Sequence, residues 1–238
     1  MGRFFGIGLG PGEPELVTLK AYRVLQRVDT IFVPRAEGRT DAAAERILIR
    51  LDIDQNKFYS VSFPMTGHEP TLKQRYLQTA ELILERLKDG RDVAYVTIGD
   101  PLLYSTYIYL LEALGRLAPQ LKVETIPGIT SYSAMASRFN YSLAEKSEQV
   151  LIYPATGNTE ELERAILSSD TTVIMKAGRW LKDIMAVLEK HGLTRNAIFA
   201  SRLGLEGERL VDLRKGASIG NTKPEGYLST IIVRRKQG

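Results

Sequence analysis

Residues 92–106, DVAYVTIGDPLLYST, decide the fold. Val93, Ala94, Tyr95 and Val96 form an apolar run entered through the turn pair Asp89-Gly90, the pattern of a buried strand. The strand then breaks. Gly99 and Pro101 flank Asp100, so the chain leaves in a tight turn before an apolar, tyrosine-rich helix predicted over 102–116. One carboxylate and a glycine backbone therefore stand at the carboxyl end of a strand, where an open parallel sheet binds its ligands. The same residues also read as an ordinary strand-to-helix turn with Asp100 as N-cap. A second turn of similar design weighs against that plainer reading. Residues 4–18, FFGIGLGPGEPELVT, again run from an apolar strand through Gly8, Gly10, Pro11 and Gly12 into a helix. Two such turns can face one ligand.

Outward from these turns, strand and helix signals alternate along the chain. Strands are predicted over 4–9, 30–33 and, more weakly, 57–61, with the second ending at Pro34-Arg35. Helices are predicted over 16–28, 41–50 and 70–87. In the first, Leu16, Leu19, Val24, Leu25 and Val28 fall near helical spacing. In the last, Leu72, Tyr76, Leu77, Ala80, Leu84 and Leu87 are expected to face inward. The pattern changes at 117–121, where Ala118-Pro119-Gln120 reads as a linker, giving an N-terminal α/β domain over 1–117 and a C-terminal α/β domain over 121–238. In the second, a strand at 123–126 leads through Pro127-Gly128 into a small-residue helix over 129–138. Strands at 148–153 and 171–175 alternate with helices at 159–167 and 180–191. From Asn196 onward the chain is β-rich, with strands at 197–201, 209–212 and 227–234. The expected architecture is an α/β protein of two sheets.

The composition is that of a soluble enzyme: 238 residues, 44% hydrophobic and 25% charged. There is no cysteine, which excludes disulfides, cysteine nucleophiles and cysteine zinc clusters. The two histidines, His68 and His191, are too few and too far apart in sequence to indicate a metal site, so no protein-bound metal is expected. The net charge of +4 and a pI near 9.2 suit an acidic partner and equally a solubilising surface. Arg234, Arg235 and Lys236 form a basic run expected to be a solvated tail. No apolar run approaches the roughly 18 residues of a membrane span, and the first residues lead directly into a strand, so a cytoplasmic protein is expected.

The first glycine turn invites a dinucleotide reading, which fails on spacing. That fingerprint places glycines at its first, third and sixth positions. Counted from Gly6, the sixth position is Pro11; counted from Gly8, it is Glu13. The next strand ends in Pro34-Arg35 where an acidic ribose ligand would be needed, and Glu13 and Glu15 put negative charge where a phosphate would sit. A cationic or phosphate-free ligand fits better.

Four segments taken together, GLGPGEPELVT from Gly8, Gly99-Asp100-Pro101, PGITS over 127–131 and Met175, closely resemble the S-adenosylmethionine-dependent tetrapyrrole methyltransferases of the cobalamin and sirohaem pathways. Within that family, TIGDPLLYSTY and IPGITSY are most similar to the branch that methylates precorrin-2 or cobalt-precorrin-2 at C20. The resemblance covers nearly the whole chain; Glu13 stands where the family usually has aspartate. It implies two α/β domains with S-adenosyl-L-methionine in the cleft between them, S-adenosyl-L-homocysteine as product, and a homodimer. By position, it implies that Pro11 lines the cofactor pocket. Gly99 and Asp100 would contact the amino-acid or ribose portion beside Leu103, and Thr130 and Ser131 would supply hydrogen bonds. Met175, with Leu203 and Gly204 in a more loosely matched SRLGLEGE, would contact the adenine.

The ligand's chemistry agrees with this assignment. S-Adenosylmethionine carries a sulfonium, an ammonium and one carboxylate, and its pocket needs polar backbone groups and an acid more than a phosphate cradle. Methyl transfer to an electron-rich meso carbon needs no covalent residue. Alignment of sulfur, methyl and carbon can supply about 7–11 kcal/mol. A proton acceptor is still required, and Tyr104, Tyr107 and Asp100 are the candidates. Arg35, Arg39, Lys176 and Arg179 are expected to meet the substrate's carboxylates, since arginine forks suit them. The alternatives are another tetrapyrrole position or ribosomal RNA, and a non-catalytic cofactor-binding module. No basic stripe interleaved with aromatics supports nucleic acid.

Overall fold

The computed structural model describes residues 1–37, 43–64, 69–220, 226 and 228–235, which form two compact units, Met1–Thr130 and Ser131–Gly238. In the first unit the order is β1 (Phe4–Gly8), α1 (Leu19–Arg27), β2 (Thr30–Ala36), α2 (Ala43–Arg50), β3 (Phe58–Phe63), α3 (Glu69–Lys88), β4 (Val93–Thr97), α4 (Tyr107–Leu117) and β5 (Val123–Ile126). The sheet runs β3-β2-β4-β1-β5 with every pairing parallel.

Two-residue periodicity sorts this sheet's side chains into two cores. Phe5, Ile7, Ile31, Val33, Ala94 and Val96 pack with α1 and α2 through Ala21, Val24, Leu25, Ala44, Ile47 and Leu48. Phe4, Phe32, Val93 and Tyr95 pack with α3 and α4 through Tyr76, Ala80, Ile83, Leu87, Tyr107, Leu110, Ala113 and Leu114. Helices on both faces account for the near-continuous apolar runs of β1 and β4. Those two strands lie side by side at the centre, yet the chain leaves β1 for β2 and leaves β4 for β5, in opposite directions across the sheet. That is a topological switch point, and its carboxyl end is a ligand crevice.

The second unit contains α5 (Ser131–Arg138), β6 (Val150–Pro154), α6 (Thr159–Ser168), β7 (Thr171–Met175), α7 (Leu181–Lys190), β8 (Ala197–Ser201), β9 (Arg209–Asp212) and β10 (Ser229–Arg234). Its sheet runs β6-β7-β10-β8-β9, parallel only between β6 and β7. Leu162, Ile166, Ile184 and Leu188 of α6 and α7 cover one face of it, over Ile174, Phe199, Ile231 and Val233.

The two-sheet α/β reading holds, and the departures from it have local causes. The units divide at 130/131 and not at 117–121, because β5 adds to the first sheet beside β1. The strand β2 continues through Pro34 to Ala36: its pairing to β4 stops at Phe32, so no ladder on that side needs the amide that Pro34 lacks. The helix expected from 102 begins only at Tyr107, since Tyr104 takes a left-handed φ of +49° that no helix can include. Leu77, expected to face inward, is 38% exposed, and Leu19, counted in the helical spacing of the first helix, is 62% exposed. Arg234 is no tail residue. It ends β10 with its side chain 10% exposed and bonds to the carboxylates of Glu145 at 3.2 Å and Glu148 at 2.6 Å. His191 meets Glu163 at 2.5 Å; His68, Arg39 and Lys236 lie outside the described residues. Among the described residues, no helix is long and apolar enough to cross a membrane.

Burial raises the pKa of Tyr95, Tyr107 and Tyr141 above the ordinary phenol value of 10.0. A raised folded-state pKa contributes stability that is complete below pH 10 and is lost as the pH climbs through the folded value. Spectrophotometric titration should therefore show Tyr95, Tyr107 and Tyr141 ionising above pH 10 and together with loss of near-ultraviolet dichroism. A single ordinary step for all 11 tyrosines in a folded protein would refute the packing described for these rings.

Candidate active site

In the first unit three turns converge beyond the carboxyl ends of β1, β4 and β5. The Gly10 and Gly99 peptides bond reciprocally, Gly99 N–H to the Gly10 carbonyl at 2.7 Å and Gly10 N–H to the Gly99 carbonyl at 3.3 Å. Both glycines are left-handed, at φ +72° and +73°. The third turn enters through Gly128, on which an added Cβ would lie 2.1 Å from the Gly99 carbonyl oxygen and 2.9 Å from Gly8 Cα. Backbone rests directly on backbone.

Asp100 holds this junction. One carboxylate oxygen accepts from Leu102 N–H at 2.9 Å, closing its own turn, and the other accepts from Gly128 N–H at 3.1 Å. The plain capping role and the functional one are thus combined in one side chain, because a carboxylate has about four acceptor positions and two are used here. Behind the turn, Thr97 Oγ1 meets Ser105 Oγ at 3.2 Å, which fixes the 100–106 loop to the end of β4. Of the residues assigned to this side, Pro11 is buried, Gly99, Asp100, Leu103 and Thr130 are half-buried, and all belong to the three turns.

In the second unit the remaining assigned residues gather at one sheet edge. Thr230, near the start of β10, pairs with Met175 at the end of β7 and with Ala200 near the end of β8. Its hydroxyl lies 3.4 Å from that of Ser131, the first residue of α5. Lys176 and Arg202 leave β7 and β8 in left-handed conformations, φ +58° and +52°, so both strands end abruptly at this edge. Leu203 is buried and Gly204 donates to Glu208 at 3.1 Å. The Met175 carbonyl accepts from Ala155 N–H at 2.9 Å.

The charged and phenolic candidates divide. Tyr107 is fully buried among Phe4 and Tyr95, and its hydroxyl meets Thr125 Oγ1 at 2.8 Å. Gly6 lacks the Cβ that would strike its ring. It is a core residue and is withdrawn as proton acceptor. Tyr104 is 37% exposed beside Gly99-Asp100, but burial raises its pKa too, so the phenol stays protonated near neutrality. Arg35, one residue before the end of β2, forms an ion pair with Glu45 of α2. Arg179 is exposed, its guanidinium 4.9 Å from the Trp180 ring centre.

Sequence reasoning missed Gly128 as a contact residue, Glu45 as the partner of Arg35, and Glu208. Pro127-Gly128 was visible as a turn. What it touches was not.

The sequence model of the tetrapyrrole (corrin/porphyrin) methylases matches residues 3–216. The chain is 29% identical over 236 residues to the cobalt-precorrin-2 C(20)-methyltransferase of Salmonella typhimurium, covering 99% of this chain and 97% of that protein. It is 31% identical over 240 residues to the precorrin-2 C(20)-methyltransferase of a Sinorhizobium species, covering 98% and 95%. Among solved structures, uroporphyrin-III C-methyltransferase from Thermus thermophilus, complexed with S-adenosyl homocysteine, shares the fold. Its TM-score is 0.64 at 21% identity, over 98% of both chains.

Proposed function

This chain belongs to the tetrapyrrole (corrin/porphyrin) methylases, and from that premise we propose that it transfers a methyl group from S-adenosylmethionine to C20 of precorrin-2 or cobalt-precorrin-2 in cobalamin biosynthesis. The observation that carries the reading is full-length likeness to two C20-methyltransferases, one named for the cobalt-bound substrate and one for the metal-free one.

The residues present fit the cofactor. At the switch point the chain offers an acid and peptide groups, with no lysine or arginine in the Gly8–Glu13 or Gly99–Leu103 turns to cradle a phosphate. A Cβ added to Gly99 would meet nothing within 4 Å, so the turn has open space on that side. S-Adenosylmethionine supplies an electrophilic methyl group on a sulfonium. The residues that would hold it are Pro11, Gly99, Asp100, Leu103, Thr130, Ser131, Met175, Leu203 and Gly204. Asp100, with acceptor capacity to spare, supplies negative charge suited to the cofactor's ammonium. Tyr104 would orient the macrocycle as a protonated donor. No separate metal is needed, and the active form is proposed to be a cytoplasmic homodimer without nucleic-acid or membrane partners.

Arg35, Lys176 and Arg179, with Arg39 outside the described residues, are proposed to meet the substrate's carboxylate fringe. Arg35→Ala and Lys176→Ala should each raise the tetrapyrrole KM about tenfold, the loss of roughly one charge-assisted hydrogen bond, and leave cofactor Kd within twofold. Unchanged KM in both variants refutes the assignment.

The deciding experiment is a single-turnover assay with labelled S-adenosylmethionine and precorrin-2, with and without cobalt, followed by NMR location of the new methyl. Label at C20 supports the reading and the preferred metal state identifies the route. Label at another carbon refutes the C20 assignment.

A further inference from the structure

Seven residues, 202–208, join β8 to β9, and they are more tightly held than a hairpin connection requires. Arg202, Gly204 and Gly207 are left-handed, at φ +52°, +72° and +77°. A non-glycine residue keeps such a conformation only where its surroundings over-determine it. Here Arg202 N–H donates to the Leu228 carbonyl at 2.7 Å, its carbonyl accepts from Leu205 N–H at 2.8 Å, and its Nε donates to the Glu206 carbonyl at 2.6 Å. Glu208 closes the loop. One of its oxygens accepts from Gly204 N–H at 3.1 Å and the other from the guanidinium of Arg138, the last residue of α5, at 3.0 Å.

The peptide between Leu203 and Gly204 is trans, as are all the peptides described. In a trans peptide the N–H and the C=O point in opposite directions. With the Gly204 N–H bound to Glu208, the Leu203 carbonyl is directed away from that carboxylate. An acceptor fixed in direction at the strand-end edge of the second sheet suits a ligand with an exocyclic amino group, as adenine has.

We infer that Glu208, braced by Arg138, is a positioning residue that sets the Leu203–Gly204 peptide to receive the adenine amino group of S-adenosylmethionine. The inference rests on the proposed methyltransferase reading. The test compares wild type, Glu208→Ala, Glu208→Gln and Arg138→Met in binding S-adenosylhomocysteine and its inosine analogue, which lacks the amino group. It also compares KM for S-adenosylmethionine and kcat at saturation.

The alanine variant should weaken S-adenosylhomocysteine at least about tenfold, the value of a hydrogen bond to a charged group, and raise KM with kcat within twofold. Binding of the inosine analogue should not change. Glutamine should restore most of the affinity, since its amide oxygen still accepts from Gly204. Arg138→Met, at a guanidinium 49% exposed, leaves the loop's own bonds intact and should cost about threefold with the same selectivity. Equal losses for both ligands, or wild-type affinity in folded Glu208→Ala or Arg138→Met protein, overturn the assignment. Failure of wild type to bind S-adenosylhomocysteine overturns the methyltransferase reading beneath it.

Discussion

Gly128→Ala should abolish measurable cofactor binding, a loss of at least about 100-fold, and lower stability by about 3 kcal/mol. The new methyl group would lie 2.1 Å from the Gly99 carbonyl oxygen and 2.9 Å from Gly8 Cα. These neighbours are all backbone, so no rotamer change makes room. The third turn must move away, and it takes with it the Gly128 N–H that Asp100 accepts at 3.1 Å. Gly115→Ala is the matched control: nothing lies within 4 Å of its added Cβ in the last turn of α4, and it should stabilise by about 0.5–1 kcal/mol. Calorimetric titration with S-adenosylhomocysteine and urea unfolding measure both quantities. A Gly128→Ala protein that binds within threefold of wild type would show that the three turns need not touch.

Asp100→Asn should cost about 1.5–3 kcal/mol of stability and weaken the cofactor roughly 10- to 100-fold. The carboxylate accepts from two N–H groups, Leu102 at 2.9 Å and Gly128 at 3.1 Å. An amide keeps one acceptor and turns a donor toward the other N–H. The charge that would attract the cofactor's ammonium is lost as well. Asp100→Ser separates the two contributions, because a hydroxyl can still close its own turn at Leu102 while it lacks both the charge and the reach to Gly128. Similar affinity in the serine and asparagine variants assigns the effect to the cofactor contact and the third turn. Near-wild-type affinity in the serine variant would reduce Asp100 to a cap.

The elements most legible in the sequence were short strands set between turns. Thr171–Met175, Ala197–Ser201 and Arg209–Asp212 were located to the residue, and β1 and β4 within one. What the sequence hid were interactions among distant residues. Nothing in Val123–Ile126 says that it pairs with β1, so the linker before it looked like a boundary. Nothing in Arg234 foretold two carboxylates 86 and 89 residues earlier. The left-handed Tyr104, which delays α4, follows from the loop's tertiary fastening through Ser105 and Thr97 and not from its own propensity. For the site, glycine, proline and acid spacing marked the turns. Only the fold separated Tyr107, a packing residue, from Tyr104, and brought Glu208 to Gly204 and Arg138.

The strand order of the first sheet also constrains the order of events during synthesis. β1 has only β4 and β5 as neighbours, and β2 has only β3 and β4. While the ribosome is making the first 92 residues, the first strand out of the exit tunnel has no partner. Only the β2–β3 pair can form. When Val93–Thr97 emerges, one insertion joins both halves, and the glycine junction must wait a further 31 residues for Gly128. A nascent chain stalled between these points would hold β1, five residues that are all buried in the finished protein, with one edge paired to β4 and the other open until Val123–Ile126 arrives. Translation speed through 93–128 thus governs how long the chain is open to chaperones and to aggregation.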